Sequence, residues 1–360
     1  MTTLLATTLR AQQIRRYRSR GITVAVVSGV FYGLYSAFIS LAMATGGWSD
    51  WAAGAAVSAF AAVYLLGILA AGLNDLLSGV WALVIGGARG KFRDTLRVAR
   101  TRPGRVLMAC AIIGGPIGTV AYILALQLGG AAIIPITALC PAFGAILSRI
   151  LFKQPLRPIM IVGIAVCLGA TCLIAYSAGS APGSDVILGL VLAFVAALAW
   201  AVEGAVAGMG TAVVDYEIAI TIRQWTSGLI TLFIVLPAVA LIGGELGTAT
   251  EMIGLTLSSP MTLLVVAVSG LFALYAFGLW YRGNGMCGTA LGMACNGTYS
   301  FWGPLFCWLL LGVSFGMAGW GIAPIAWVGA VLMSVGILLV ATNPLEWLRA
   351  ARARVPGGVA

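Results

Sequence analysis

The chain has 360 residues, 61% of them hydrophobic and only 8% charged, with a formal net charge of +10 and a mean hydropathy of +1.06. A soluble domain carries about 45–50% apolar and about 25% charged residues, so a water-soluble fold is excluded. The absence of histidine also removes histidine-based acid–base catalysis, Ser-His-Asp triads and most zinc sites.

Twenty-residue apolar runs then predict an all-α integral membrane protein with ten transmembrane helices. They lie near 22–45, 54–86, 106–127, 130–151, 157–177, 187–209, 218–242, 261–281, 287–311 and 322–342. A basic tail, 1–21, precedes the first. The run from Ile22 to Thr45 exceeds the 7–15 residues of a signal-peptide core, so it reads as an uncleaved helix. The stretch from Trp51 to Ala88 is too long for one upright span and implies a tilt, a break or an added interfacial segment. Short hairpins at Gln127–Ala131 and Arg282–Met286 make their flanking helices antiparallel neighbours. The seven cysteines show no CxxC spacing and read as small buried apolar residues.

The charges test this count. With the N-terminus inside, all 20 lysines and arginines fall on inner segments or their flanking helix ends. The outer loops hold Asp50, Asp185, Glu245 and Glu251 and no base. The positive charge is therefore a topology signal, with a minor anionic-lipid contribution, and not a nucleic-acid footprint. A multi-pass protein of the cytoplasmic membrane with both termini inside is expected.

The two halves share an outline. Gln127–Ser177 runs as a short loop, a proline-bearing helix, a basic turn and a glycine-spaced helix. Tyr281–Pro344 repeats it with Pro304 and a glycine-rich turn. Five spans per half is odd, so residues 22–177 (with the basic loop 87–105) and 187–342 form two five-helix repeats of inverted topology, followed by a tail at 343–360. Inverted repeats place a substrate site near the midplane.

Thr119–Ser177, with Ala-Tyr-Ile-Leu-Ala-Leu-Gln, Pro135-Ile-Thr-Ala-Leu-Cys-Pro141 and Gly163–Tyr176, resembles the ten-helix, EamA-like branch of the drug/metabolite transporter superfamily. The resemblance covers both halves and implies a ten-helix transporter. Where those repeats usually end the fourth helix in a glutamate, Lys153-Gln154-Pro155 stands here. The loop 87–105 and the long second span also exceed the usual plan.

An ionisable residue inside a span costs about 2.5–3.5 kcal/mol on insertion scales and marks a functional site. Glu203, in Trp200-Ala-Val-Glu203-Gly204, is the clearest, with no base within nineteen residues along the chain. It is expected to act as a proton carrier or as the counter-ion of an organic cation beside aromatic faces; pairing with Arg223 is the bland alternative. Asn74-Asp75 comes second, at mid-depth or at the interface. Arg223 reads as a snorkelling side chain or as a gate paired with Glu217 or Asp215.

Tyr32, Tyr35 and Ser36 form a polar-aromatic stripe on the first span; Asn296, Tyr299 and Trp302 belong to the ninth. Tyr122, Trp200, Trp225, Tyr275 and Trp280 are candidate walls, and packing is the competing explanation for each. Gly29-xxx-Gly33 and Gly204-xxx-Gly208 signal close helix approach. There is no Walker loop, and no cofactor or metal is expected.

A secondary transporter working by alternating access, as monomer or homodimer, is the leading function. Its expected substrate is a small organic cation or amine-bearing zwitterion. A neutral or anionic metabolite, with Glu203 as proton site only, is the runner-up. A membrane enzyme lacks a cluster of carboxylates or nucleophiles; a non-transporting scaffold is the third class.

Overall fold

The computed structural model describes residues 2–152, 158–179, 185–210 and 213–341, and among these every regular element is helical. Six helices are long and apolar enough to cross a membrane: Gln12–Ala44, Ala61–Ala88, Arg102–Gly129, Val186–Val206, Tyr216–Ile242 and Pro260–Cys287. Shorter apolar helices lie at Ile134–Gly144, Pro158–Ile174 and Pro324–Val340. The chain is thus a multi-pass helical membrane protein.

Several predicted boundaries change. The basic tail is helical and continuous with the first span, as α1 (Thr2–Ala44). At 1.5 Å per residue, α1 is about 64 Å long, twice what a bilayer core needs, and its arginines stand exposed beyond the apolar part. The overlong second run resolves into a short helix, α2 (Gly46–Ala52), a turn, and α3 (Leu66–Ala88) entered through a π-helical turn at Ala61–Leu65. The basic loop contains α4 (Phe92–Ala99). The third span is α5 (Arg102–Ile112) and α6 (Val120–Gly129), fused by a π-helical segment, Ile113–Thr119, that contains Pro116.

The predicted fourth and ninth spans are broken. The fourth is α7 (Ile134–Thr137) and α8 (Cys140–Phe152), interrupted at Ala138-Leu139. α9 (Pro158–Gly179), α10 (Asp185–Gly210), α11 (Tyr216–Ile230), α12 (Leu236–Ile242), α13 (Leu246–Ser258) and α14 (Pro260–Cys287) follow. The ninth is α15 (Thr289–Asn296) and α16 (Tyr299–Cys307), interrupted at Gly297-Thr298. The turn expected at Arg282–Met286 falls later, at Gly288, whose φ of +93° suits glycine. α17 (Pro324–Ala341) ends the described chain. Lys153-Gln154-Pro155 and the predicted tail 343–360 lie outside the described residues.

Packing follows a reciprocal pattern. α1 lies against α14 and α16, and α10 against α6 and α8. α14 packs on α3, and α5 packs on α11. Three further contacts join α3 to α11, α9 to α17 and α7 to α16. Small residues permit the closest approaches. A Cβ on Gly33 would lie 2.7–2.9 Å from the backbone of Trp302 and Gly303, which gives the Gly29-xxx-Gly33 motif its purpose.

The two ends of the bundle differ in charge. Arg89 and Lys91 meet Asp215 and Glu217 at one end, where Arg282 lies over Tyr216. At the other, the Trp48 indole donates to Thr256 (2.7 Å) and the Ser58 hydroxyl to Glu245 (2.6 Å).

The α9–α17 seam yields a stability prediction. A Cβ on Gly163 would sit 2.7 Å from both Gly336 O and Val340 N, backbone atoms that cannot turn aside, whereas Gly169 on the same helix faces open space. Gly163→Ala should destabilise by about 1–3 kcal/mol through overpacking. Gly169→Ala should be neutral or stabilising by up to about 1 kcal/mol, both read by thermal unfolding in detergent.

Candidate functional site

The polar core is built on one face of α11. Arg223, Gln224 and Ser227 share that face and are wholly buried. The Arg223 guanidinium donates through Nε to Glu203 Oε1 (2.9 Å) and through Nη1 to Asp75 Oδ2 (3.2 Å) and Gln224 Oε1 (2.6 Å). Tyr281 donates its hydroxyl to Glu203 Oε1 (2.8 Å), and Ser227 donates to Asp75 Oδ2. Gln224 reaches Ser78 of α3 at 2.7 Å. One guanidinium therefore serves two carboxylates from different helices, which is how buried charge is tolerated. Among the described residues, Asp75 Oδ1 has no hydrogen-bond partner.

Local sequence makes the room. Gly114 and Gly115 sit in the π-helical segment, and a Cβ there would fall 1.7 Å from Glu203 Oε2 and 1.8 Å from Ser227 Oγ. The Gly114 carbonyl accepts from the Trp200 indole at 2.9 Å and from Thr119 Oγ1 at 3.2 Å. A π-bulge commonly marks such a site because it frees backbone groups from the regular ladder.

Beside the ion triad stands an aromatic cluster. Tyr32 stacks on Tyr299 (centroids 4.1 Å apart) and meets Tyr35, Tyr122, Trp200 and Phe277 at 5.3–6.0 Å. Phe277 joins the two groups, since Arg223 Cζ lies 4.1 Å over its ring. The hydroxyls of Tyr32 and Tyr35 and the Trp280 indole N–H are buried without partners. Both helix breaks touch this place: Cys140 and Pro141 from one, and Asn296, Gly297 and Tyr299 from the other, line a cavity with Tyr32 and Trp200. Its volume is about 20 Å³, room for about one water, so the cluster is closed.

The structure gathers most of the predicted residues here. Glu203, Asp75, Trp200, Tyr32, Tyr35, Tyr122, Asn296 and Tyr299 join one buried region, with Ser36 hydrogen-bonded to Tyr122 and Asn74 accepting from Ser269 at 2.8 Å. Asp75 is buried near the middle of its span, not at an interface. Glu203 is not a lone carboxylate; α11 brings Arg223 to it. Arg223 neither snorkels nor pairs with Glu217. Trp225 lies elsewhere, donating to Gly79 O at 2.9 Å, and Trp302 stacks on Phe306. Tyr275 is exposed against Phe31. Sequence reading missed Tyr281, Phe277, Thr119 and Ser227. Only Ser227 left a signal, one helical turn from Arg223.

Glu217 belongs to a separate latch at the basic end. Lys91 Nζ lies 2.9 Å from Asp215 Oδ2 and 2.8 Å from Glu217 Oε2, and Arg89 also pairs with Glu217. Partial desolvation opposes charge on Lys91 and Asp215, but their hydrogen bonds prevail. They hold Lys91 above the ordinary lysine range and Asp215 below the ordinary carboxylate range, helped by the Glu217 backbone N–H.

Two outcomes follow. Arg223→Met leaves two buried carboxylates unpaired and should cost about 3–5 kcal/mol. The triple change Arg223→Met, Glu203→Gln, Asp75→Asn, which removes every charge from the triad, should recover most of it, read as yield and thermal stability. For the latch, the depressed Asp215 pKa contributes stability above the ordinary value of about 4 and loses it as pH falls further; the raised Lys91 pKa contributes until pH exceeds about 10.4. The difference in melting temperature between wild type and Lys91→Gln should be constant from pH 5 to 8, small, and shrink below about pH 4.

Comparison with known proteins accords with this architecture. A solved structure, described only as a crystal structure of a protein, aligns with a TM-score of 0.58 at 22% identity, covering 94% of this chain and 100% of that one. That likeness establishes the fold over nearly the whole chain. No curated protein sequence matches. The model of the EamA-like transporter family matches residues 19–176, so this part of the chain is similar to the EamA-like transporters.

Proposed function

We propose that this membrane protein is a proton-coupled secondary transporter of a small organic cation or amine-bearing zwitterion. The observation that carries the reading is Arg223 shared by Glu203 and Asp75 directly beneath the aromatic cluster, joined to it through Phe277. With both carboxylates ionised the triad carries one negative charge; with one proton it is neutral. Glu203 has Oε1 held by Arg223 and Tyr281 and Oε2 near the guanidinium at 3.5 Å, which argues against it as a direct substrate counter-ion. Asp75, with one oxygen unpartnered, is the better proton site.

The substrate then meets ring faces. Tyrosine and tryptophan attract organic cations through their quadrupoles, by about 2 kcal/mol or more where water is excluded. A proton on Asp75 and a cation in the cluster compete for the same single negative charge, and that competition is the coupling. A neutral planar metabolite is the second reading. The cavity lining itself contains no carboxylate, and such a substrate needs none.

Alternating access rests on ten membrane segments in two inverted repeats, 22–177 and 187–342. The reciprocal packing supports this: exchanging each helix for its counterpart in the other half turns α1–α14 into α10–α6, α1–α16 into α10–α8, and α14–α3 into α5–α11. The α3–α11 and α9–α17 contacts map onto themselves, and α7–α16 maps onto α8–α15. The basic end is assigned to the cytoplasm by the positive-inside rule.

The test is flux into proteoliposomes under an imposed pH gradient, across quaternary amines, polyamines, amino acids, sugars and nucleosides. Amine flux should follow the gradient in the wild type. Asp75→Asn, which mimics the protonated triad, should weaken amine binding and remove its pH dependence, and Glu203→Gln should lose coupled transport at near-normal expression. Flux indifferent to the gradient removes the coupling claim. Selective movement of neutral compounds removes the cation claim.

A further inference from the structure

A second site lies at the basic end, between α3 and α14. The two helices are in backbone contact higher up, where a Cβ on Gly270 would fall 2.9 Å from Ser78 N and 3.1 Å from Asn74 O. One turn on, the Trp81 indole donates to Ala267 O at 2.9 Å. Below that crossing the helices splay. At the level of Gly278 a Cβ would meet only Ile220, at 3.7 Å. The resulting wedge has a volume of about 230 Å³. Its walls are apolar, formed by Ile85 of α3 and Leu274 and Leu279 of α14, with Ile220 of α11 as floor. At its mouth stand two arginines, Arg89 at the end of α3 and Arg282 on the last turns of α14, with Tyr216 and Glu217 of α11 beside them.

The charge at the mouth is not fully used. Arg89 and Lys91 face Glu217 and Asp215, two cations for two anions. Arg282 is exposed and, among the described residues, lies over the face of Tyr216, its Cζ 5.1 Å from the ring centroid, with no carboxylate in ion-pair range. The mouth thus retains one positive charge above an apolar slot that reaches into the membrane region. A soluble anion has no use for the apolar walls, and a zwitterionic lipid brings no net charge to Arg282. A basic pocket between helix ends with an apolar cleft beneath it is the arrangement that recognises acidic lipid head groups.

We infer that the α3–α14 wedge is a binding site for an acidic phospholipid, its phosphate held between Arg282 and Arg89 and one acyl chain lying against Leu274, Leu279 and Ile85. The bound lipid fills the splay and fixes the angle between α3 and α14, the helices that carry Asp75 and Tyr281.

The experiment is thermal unfolding of delipidated protein in detergent, with added phosphatidylglycerol, phosphatidylcholine or inorganic phosphate, joined to native mass spectrometry for stoichiometry. Phosphatidylglycerol should raise the melting temperature by several degrees and leave one retained lipid per chain, while phosphatidylcholine and phosphate should do neither. Arg282→Gln with Arg89→Gln should abolish the shift, and Leu274→Trp, which fills the slot with both arginines intact, should abolish it too. Arg97→Gln with Arg100→Gln removes the same charge outside the wedge and should leave the shift unchanged. An equal response to phosphatidylcholine, retention of the shift in the wedge variants, or its loss in the Arg97/Arg100 control overturns the site. A response to inorganic phosphate alone makes it an anion site and overturns the lipid assignment.

Discussion

One guanidinium placed between two carboxylates in an apolar interior is the constraint on which the rest of the structure depends. Charges taken out of water cost several kcal/mol each, and their mutual attraction offsets this only when geometry and hydrogen bonds are nearly complete. Arg223 meets that condition through Glu203, Asp75, Gln224 and Thr119, and the carboxylates take further donors from Tyr281 and Ser227. Because these groups come from α3, α10, α11, α14 and the π-helical segment, satisfying one arginine fixes the relative position of five elements. A simple stability argument does not explain such an arrangement, since apolar residues of similar volume pack as well. The stoichiometric excess of one carboxylate is what the proposed coupling uses, since it leaves a charge for a proton or a cation to neutralise.

The π-helical segment and the two broken helices serve the same centre. Irregular backbone at membrane depth is tolerated only where it lines protein or a cavity, and here Gly114, Gly115, Ala138-Leu139 and Gly297-Thr298 all do so or border it. α3 and α11 are joined in the middle by Asp75–Arg223 and Ser78–Gln224, at the basic end by Lys91–Asp215, and at the far end through Ser58–Glu245 beyond α12. A pair tied along its length moves as one body, although its members belong to different halves. Under the proposed alternating access, the rocking unit would therefore be a mixed set of helices and not one sequence half against the other.

Much of this was legible in the chain. The apolar runs located the spans because the bilayer imposes a length and a composition. The rarity of charge in those runs singled out Glu203, Asp75 and Arg223 for the same reason. What the sequence concealed was their meeting. Arg223 stands twenty residues after Glu203 and far from Asp75 along the chain, and only the placing of α11 sets it opposite both. Phe277 and Tyr281 were invisible because an aromatic residue in an apolar helix carries no mark of the face it occupies. Trp225 and Trp302 misled on the same ground. The break at Ala138-Leu139 hid inside an apolar run, although Pro135 and Pro141 flank it, whereas the one at Gly297-Thr298 lies in the polar stretch Asn296–Ser300, which reads equally well as the polar face of a continuous helix.

The central claim is that the triad holds one exchangeable proton and that Asp75 carries it. Infrared difference spectroscopy of the protein in lipid, comparing substrate-free and substrate-saturated states in water and in heavy water, reads this directly through the carbonyl stretch of a protonated carboxyl group. The account predicts such a band that shifts on deuteration, disappears when the amine substrate binds, and is absent in Asp75→Asn and, because Arg223 then faces a single ionised carboxylate, in Glu203→Gln as well. A spectrum with no protonated carboxyl at any pH where transport occurs, or a band kept in Asp75→Asn, would contradict it.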